Sequence, residues 1–212
     1  MPNVKNNRKR QLRRRGLALA CLCLALSVAA ACTTPPPATS QPQLTYTHQA
    51  KIRLDVDAIE IVHTYAPPMQ APNVEHLFPT SPMKTAERWA TDRLVAAGAS
   101  RTGVTARFVI LDARVVEEKL PTTGGIGGYF TVDQGARYTA TLEARLEIID
   151  AQGKRRAFAE AKAFRDQTVP ENASINKRED YWFLLTEDLL KDFEREMETA
   201  IQTHLAGFRT AP

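Results

Sequence analysis

The chain predicts an α+β fold: a two-layer domain with an antiparallel-rich sheet of about four strands, in the order β-α-β-β-β-α, and two helices packed on one face. Three observations carry this. Tyr138 to Ile149 alternates apolar and polar residues without a break, the two-residue period of a half-buried strand. Trp182, Leu185, Leu189, Phe193, Met197, Ile201 and Leu205 recur at steps of three and four, the stripe of a helix laid on a core. Between Leu44 and Phe208 the other apolar runs are short and bounded by Pro, Gly or Asp turns, with no internal repeat.

The N-terminus precedes that domain. Seven Lys/Arg and no acid (Lys5 to Arg15) lead into the apolar segment Leu17 to Ala31, which ends on Ala29-Ala30-Ala31 before Cys32. A basic region, an apolar region and a small-residue cleavage site make a signal peptide over residues 1–31. Fifteen apolar residues fall short of the roughly 20 that a spanning helix needs. With a cysteine directly after the cut, the segment resembles the lipobox of bacterial envelope lipoproteins, though Ala29 stands where those usually carry Leu. Cys21 and Cys23 lie inside the apolar run and make poorer cleavage sites. The resemblance implies that Cys32 is acylated, as with palmitate, and anchors the chain outside the cytoplasm, facing the periplasm. Thr33 after the cysteine, instead of Asp, resembles sorting to the outer membrane in preference to the inner. Cut at the same alanines without acylation, the segment would be an ordinary secretory peptide that leaves Cys32 free.

Processing changes the charge. The whole chain carries 28 − 24 = +4, and loss of seven basic residues leaves 21 − 24 = −3. A mildly acidic domain without a dense basic patch has no electrostatic reason to bind nucleic acid, and Lys154-Arg155-Arg156 reads as a solvated turn. All three cysteines lie at or before Cys32, so no disulfide is expected beyond it and stability must come from the core. Residues 32–44 are the acylated cysteine and a Thr/Pro-rich tether with four prolines and no charge. Extended at ~3.1 Å per residue, such a tether reaches roughly 35 Å from its anchor. Residues 45–212 then form a single α+β globular domain.

Its elements follow in order. Ile52, Leu54 and Val56 alternate with charges, and the phase shifts at Ile59 and Ile61, which predicts one strand with a bulge near Ala58. Five prolines between Pro67 and Pro82 exclude regular structure, yet that loop carries Tyr65, Met69, Val74, Leu77 and Phe78. These side chains either strap the loop to the core or form a ledge for a partner. Ser81-Pro82 reads as a helix start and Gly98 as its stop, with Ala86, Trp89, Ala90, Leu94 and Ala97 as the apolar stripe. Phe108 to Val116 populates both faces, as a central strand does. Tyr138 to Ile149 turns at Asp150-Ala151-Gln152-Gly153 into a fourth strand, about Arg156 to Arg165, in which Ala157, Ala159, Ala161 and Ala163 share a face. A terminal helix from about Arg178 to Phe208 completes the plan, with a possible break at Thr186-Glu187-Asp188 and an i,i+4 pair, Glu187 and Lys191, on its wet side.

This element order, together with the lipobox, resembles the envelope lipoproteins grouped around the LptE, YajG and ABC-transport auxiliary families. The resemblance implies a structural or accessory subunit of envelope machinery, not an enzyme, and carries over no site residue except Cys32.

The chemistry of the chain agrees with that expectation. Its four histidines make no His-Glu-x-x-His, no serine lies in a Gly-x-Ser-x-Gly elbow, and no cofactor or metal site is expected. Gly124-Gly125-Ile126-Gly127-Gly128 lacks the Lys-Ser/Thr ending of a phosphate loop. It is either a hairpin end or a presenter of Tyr129 and Phe130 to a membrane or a protein partner. The function expected is a lipid-anchored, non-catalytic accessory or scaffold lipoprotein of an envelope assembly or transport system, held at the membrane and bound to an envelope protein. The alternative is a periplasmic module that binds a small apolar ligand or lipid.

Overall fold

The computed structural model describes residues 42–98, 103–121 and 133–210, and they belong to one compact unit, Ser40–Pro212. It has the α+β architecture that the periodicity predicts. The strands are β1 (Ile52–Leu54), β2 (Ala58–His63), β3 (Leu94–Ala96), β4 (Thr105–Asp112), β5 (Val115–Lys119), β6 (Gln134–Ile149) and β7 (Arg155–Pro170); the helices are α1 (Pro82–Arg93) and α2 (Ile175–His204).

Strand β6 organises the main sheet. β7 pairs antiparallel along its whole length on one side, from Gln134↔Pro170 to Ile149↔Arg155. On the other side β4 takes the end near Ile149 and β5 takes the end near Ala136. β4 and β5 thus lie end to end, and the Phe108–Val116 run expected as one strand is broken at Ala113-Arg114. Asp112 Oδ1 accepts the Arg114 amide at 3.1 Å in that break, and the register against β6 shifts there. Counting β4 and β5 as one row leaves four rows, β2, β4/β5, β6 and β7. The β2–β4 pair is parallel, since α1 crosses over between them.

The first predicted strand also divides. Ile52–Leu54 pairs with β3 in a small parallel sheet, and Ala58–His63 joins the main one. No bulge connects them, because the amides of Asp55 and Asp57 are drawn to the carbonyls of Phe208 and Val104 at 2.8 and 2.7 Å. The same pairing ends α1 early. Leu94 is captured opposite Ile52, so the helix stops at Arg93 and not at Gly98. Gly98 serves a different need, since a Cβ there would lie 2.5 Å from the Val56 carbonyl oxygen that its amide bonds.

Both helices cover one face. β6 turns Tyr138, Ala140, Leu142, Ala144, Leu146 and Ile148 inward, all buried. Ala159, Ala161 and Ala163 of β7 share that face beneath α2, which settles their direction. Trp89 of α1, Phe108 of β4 and Phe193 of α2 meet with ring centroids 5.6 to 6.4 Å apart. α2 runs unbroken through Thr186, which is buried and donates its hydroxyl to the Thr80 carbonyl at 3.0 Å. Its N-cap is Ser174, whose Oγ accepts the Lys177 amide.

The proline loop is a strap. Val74 N bonds Val115 O and Glu117 N bonds Pro72 O, both at 2.9 Å, so the loop lies along the edge of β5. Val74 and Phe78 are buried, whereas Met69 and Leu77 remain on the surface.

Candidate interaction surface

With both helices on the inner face, the opposite face of the sheet carries no helix among the described residues. Alternation along β6 sends Thr139, Thr141, Glu143, Arg145 and Glu147 outward, and β7 sends Phe158, Glu160, Lys162, Phe164 and Asp166 the same way. The register then sets neighbours. Arg145 lies opposite Glu160 and Glu143 opposite Lys162, with nitrogen to oxygen distances of 2.6 and 2.7 Å. Arg107 reaches Glu60 at 3.2 Å and Arg155 reaches Glu147 at 2.8 Å. Hydrogen bonds to these carboxylates push the Arg145 and Lys162 pKa values up. Exposed pairs of this kind are screened by solvent, so the ladder fixes register more than it stabilises.

Two aromatic side chains break the charged pattern. Phe158 is 45% exposed with the guanidinium groups of Arg145 and Arg155 over its ring at 5.5 and 4.9 Å. Phe164 is 70% exposed beside Thr141. Full burial of such a side chain is worth about 1.5–3 kcal/mol, of which the fold leaves part unused at Phe158 and most at Phe164. The sequence reading followed the alanine face of β7 and missed these two. The signal was present, because an inward alanine face puts the alternate residues outside.

A second cluster lies where β5 and β6 leave the described residues. Tyr138 donates its hydroxyl to Glu117 Oε1 at 2.7 Å, and burial, then the bond to and charge of Glu117, pushes its pKa up to about 12. Trp182 stacks on Phe78 with centroids 4.6 Å apart and meets Tyr138 edge to face. Arg178, Lys119 and Glu171 line the adjoining cleft of about 340 Å³. Tyr129 and Phe130, expected at the tip beyond this cluster, lie outside the described residues, as does Cys32.

A third cluster joins the chain entering from the tether to both helices. Glu194 of α2 accepts Trp89 Nε1 at 3.2 Å, Arg93 Nη1 at 2.9 Å and Gln49 Nε2 at 3.1 Å. Arg93 also pairs with Glu198 and Gln49, and Asp92 accepts the Tyr46 amide at 2.9 Å. No sequence spacing announces this network, whose members come from three separate segments.

Among the described residues no group of three or more His, Cys, Asp or Glu could hold a metal ion, and no helix is long and apolar enough to cross a membrane. A groove of about 400 Å³ beside α1 has a mixed lining, with Leu44 and Pro79 beside Gln43, Lys84, Glu87 and Arg88.

No family model matches the chain, and no curated protein matches it. Similar solved structures include a minor lipoprotein from Acinetobacter baumannii, 12% identical over 81% of this chain and 100% of that one, with a TM-score of 0.32. A PelC dodecamer from Paraburkholderia phytofirmans is 13% identical over 73% and 92%, with a TM-score of 0.19. Likenesses this slight leave function to be argued from the chain's own residues.

Proposed function

We propose that this protein is a lipid-anchored, non-catalytic accessory or scaffold lipoprotein of a bacterial envelope assembly or transport system. The observation that carries the reading is the outer sheet face, where Phe158 and Phe164 stand exposed among paired charges. Charges that neutralise one another within the sheet leave the aromatics as the groups with most to gain from a protein partner. In this reading Cys32 carries the acyl chains, the tether holds the domain clear of the headgroups of the outer membrane, and Tyr129 and Phe130 supply a second contact with an envelope protein.

Metabolic labelling with a fatty acid tests the anchor: wild type should incorporate it and Cys32→Ser should not. Crosslinking in intact cells, followed by mass spectrometry, tests the partner. One defined envelope complex is expected, recovered poorly from Tyr129→Ala/Phe130→Ala cells at unchanged melting temperature. An unlabelled wild type would remove the anchor, and a copurified lipid with no protein partner would make the chain a binding module instead.

A further inference from the structure

β7 is bonded to β6 along one edge, and no other described strand pairs with its second edge. Sixteen residues of open edge invite another strand, and proteins normally blunt such an edge with charge, proline or a covering helix. Here the charges are arranged differently. The outward residues of β7 read Arg156, Phe158, Glu160, Lys162, Phe164, Asp166, all exposed. About Ala161 that series is its own complement: base opposite acid, aromatic opposite aromatic, acid opposite base.

From this we infer that β7 is a homodimer edge, pairing antiparallel with β7 of a second copy across a two-fold axis at Ala161. In that register Glu160 faces the second copy's Lys162, Phe158 faces Phe164 and Arg156 faces Asp166, each contact occurring twice. Within each chain Arg145 already pairs with Glu160, and Glu143 with Lys162. The row across the joint sheet therefore alternates sign: Arg145, Glu160, then Lys162 and Glu143 of the second copy. Each exposed phenyl ring gains the second copy's other ring as a cross-strand neighbour while the outer face of the joint sheet stays open to a further partner, and opposite-charge and aromatic cross-strand pairs are the stabilising kind.

Neighbouring registers fail. An axis at Ala159 sets Arg156 against Lys162, and one at Ala163 sets Glu160 against Asp166. Axes at Glu160 or Lys162 set a charge against itself. Axes at Phe158 or Phe164 avoid like charges within the strand, but each sets one ring against its own copy and keeps one kind of acid–base pair, Arg156 with Glu160 or Lys162 with Asp166. Like charges directly opposite are destabilising, and the axis at Ala161 is the one that pairs all six outward residues. Beside the edge a groove of about 310 Å³ lies between Lys162–Asp166 and α2, spanned by the ion pair of Arg165 with Asp192, while the outward side chains of β7 stay exposed. A symmetric pairing of this kind closes at two copies and ends the exposed edge, which an unmatched strand would not.

The inference needs neither the anchor nor an envelope partner, so it is tested on the full chain with Cys21, Cys23 and Cys32 all changed to Ser. Sedimentation at the highest soluble concentration should give a dimer. Glu160→Lys and Lys162→Glu chains should each sediment as monomers, because each places like charges opposite, and their equimolar mixture should regain the dimer. Register is read independently: oxidation of mixed Phe158→Cys and Phe164→Cys chains should give the heterodisulfide, with neither chain linking to itself. A monomeric wild type, self-association of either charge variant equal to wild type, or equal self-linking of the cysteine variants would each overturn the proposal. Failure of fatty-acid labelling would leave it standing.

Discussion

Tyr46, Tyr65 and Tyr138 are held as neutral phenols by burial first, and by nearby carboxylates second. Glu194 and Asp92 lie around Tyr46, Glu75 bonds Tyr65 at 2.7 Å, and Glu117 bonds Tyr138. All three pKa values are raised above the ordinary phenol value of about 10. Above that pH the unfolded chain has released protons that the folded chain still holds, so stability falls as pH rises. Below it the contribution is fully present. Phenolate absorbance should therefore show late ionisation in the folded protein and titration near 10 in urea, while the urea midpoint drops over the same alkaline interval. Glu117→Gln should move the Tyr138 titration back toward the ordinary value; an unmoved titration would remove Glu117 as a cause. Single residues were the least legible scale. Glu75 is buried and accepts both Tyr65 Oη and the Val115 amide, yet nothing in its sequence context separates it from a solvated acid. Thr186 resembled a cap because Thr-Glu-Asp starts many helices, but its hydroxyl found the Thr80 carbonyl.

Elements were legible where one periodicity ran uninterrupted. β6 and α2 followed their apolar stripes because each meets one continuous partner surface, a helix layer for β6 and the sheet for α2. β1, β3 and the β4–β5 break were not legible, since they are set by partners distant in sequence: Ile52 with Leu94, Leu54 with Arg209, Arg114 O with Thr141 N. The alanine stripe of β7 gains a role from this scale. Ala159 is fully buried with α2 above it, and its small side chain sets how closely the helix approaches. Ala159→Leu should therefore overpack the layer and cost about 1–3 kcal/mol, read as a lower urea midpoint with the slope unchanged. Leu184→Met, on the exposed side of α2, should change it by less than about 0.5 kcal/mol. Equal effects would mean that the inner layer has slack.

At the scale of the whole molecule, residues 46–55, both helices and the C-terminal turn are joined by a polar network in addition to the apolar core they share. Residues 53–55 bond the C-terminal turn, with Asp55 N to Phe208 O at 2.8 Å and Thr210 N to Arg53 O at 3.1 Å. Gln49, Trp89 and Arg93 all converge on Glu194, which is mostly buried, and Arg93 is 5% exposed. A buried guanidinium is tolerated when its partners remain, and removing one strands the charge. Two glutamates serve Arg93, but they are not equivalent. Glu198 is 35% exposed at its side chain, where water can replace it, whereas Glu194 is 15% exposed and satisfies the indole and the Gln49 amide as well. Glu194→Ala should therefore cost about 3–5 kcal/mol, and Glu198→Ala no more than about 1 kcal/mol. Urea denaturation of the two variants checks the difference. Because the loss at Glu194 releases Gln49 and the polar link between α1 and α2, proteolysis should in that variant begin near residues 46–51. Equal costs at the two glutamates would show that solvent reaches Glu194 too, and that residues 46–51 are held by their backbone bonds and apolar contacts alone.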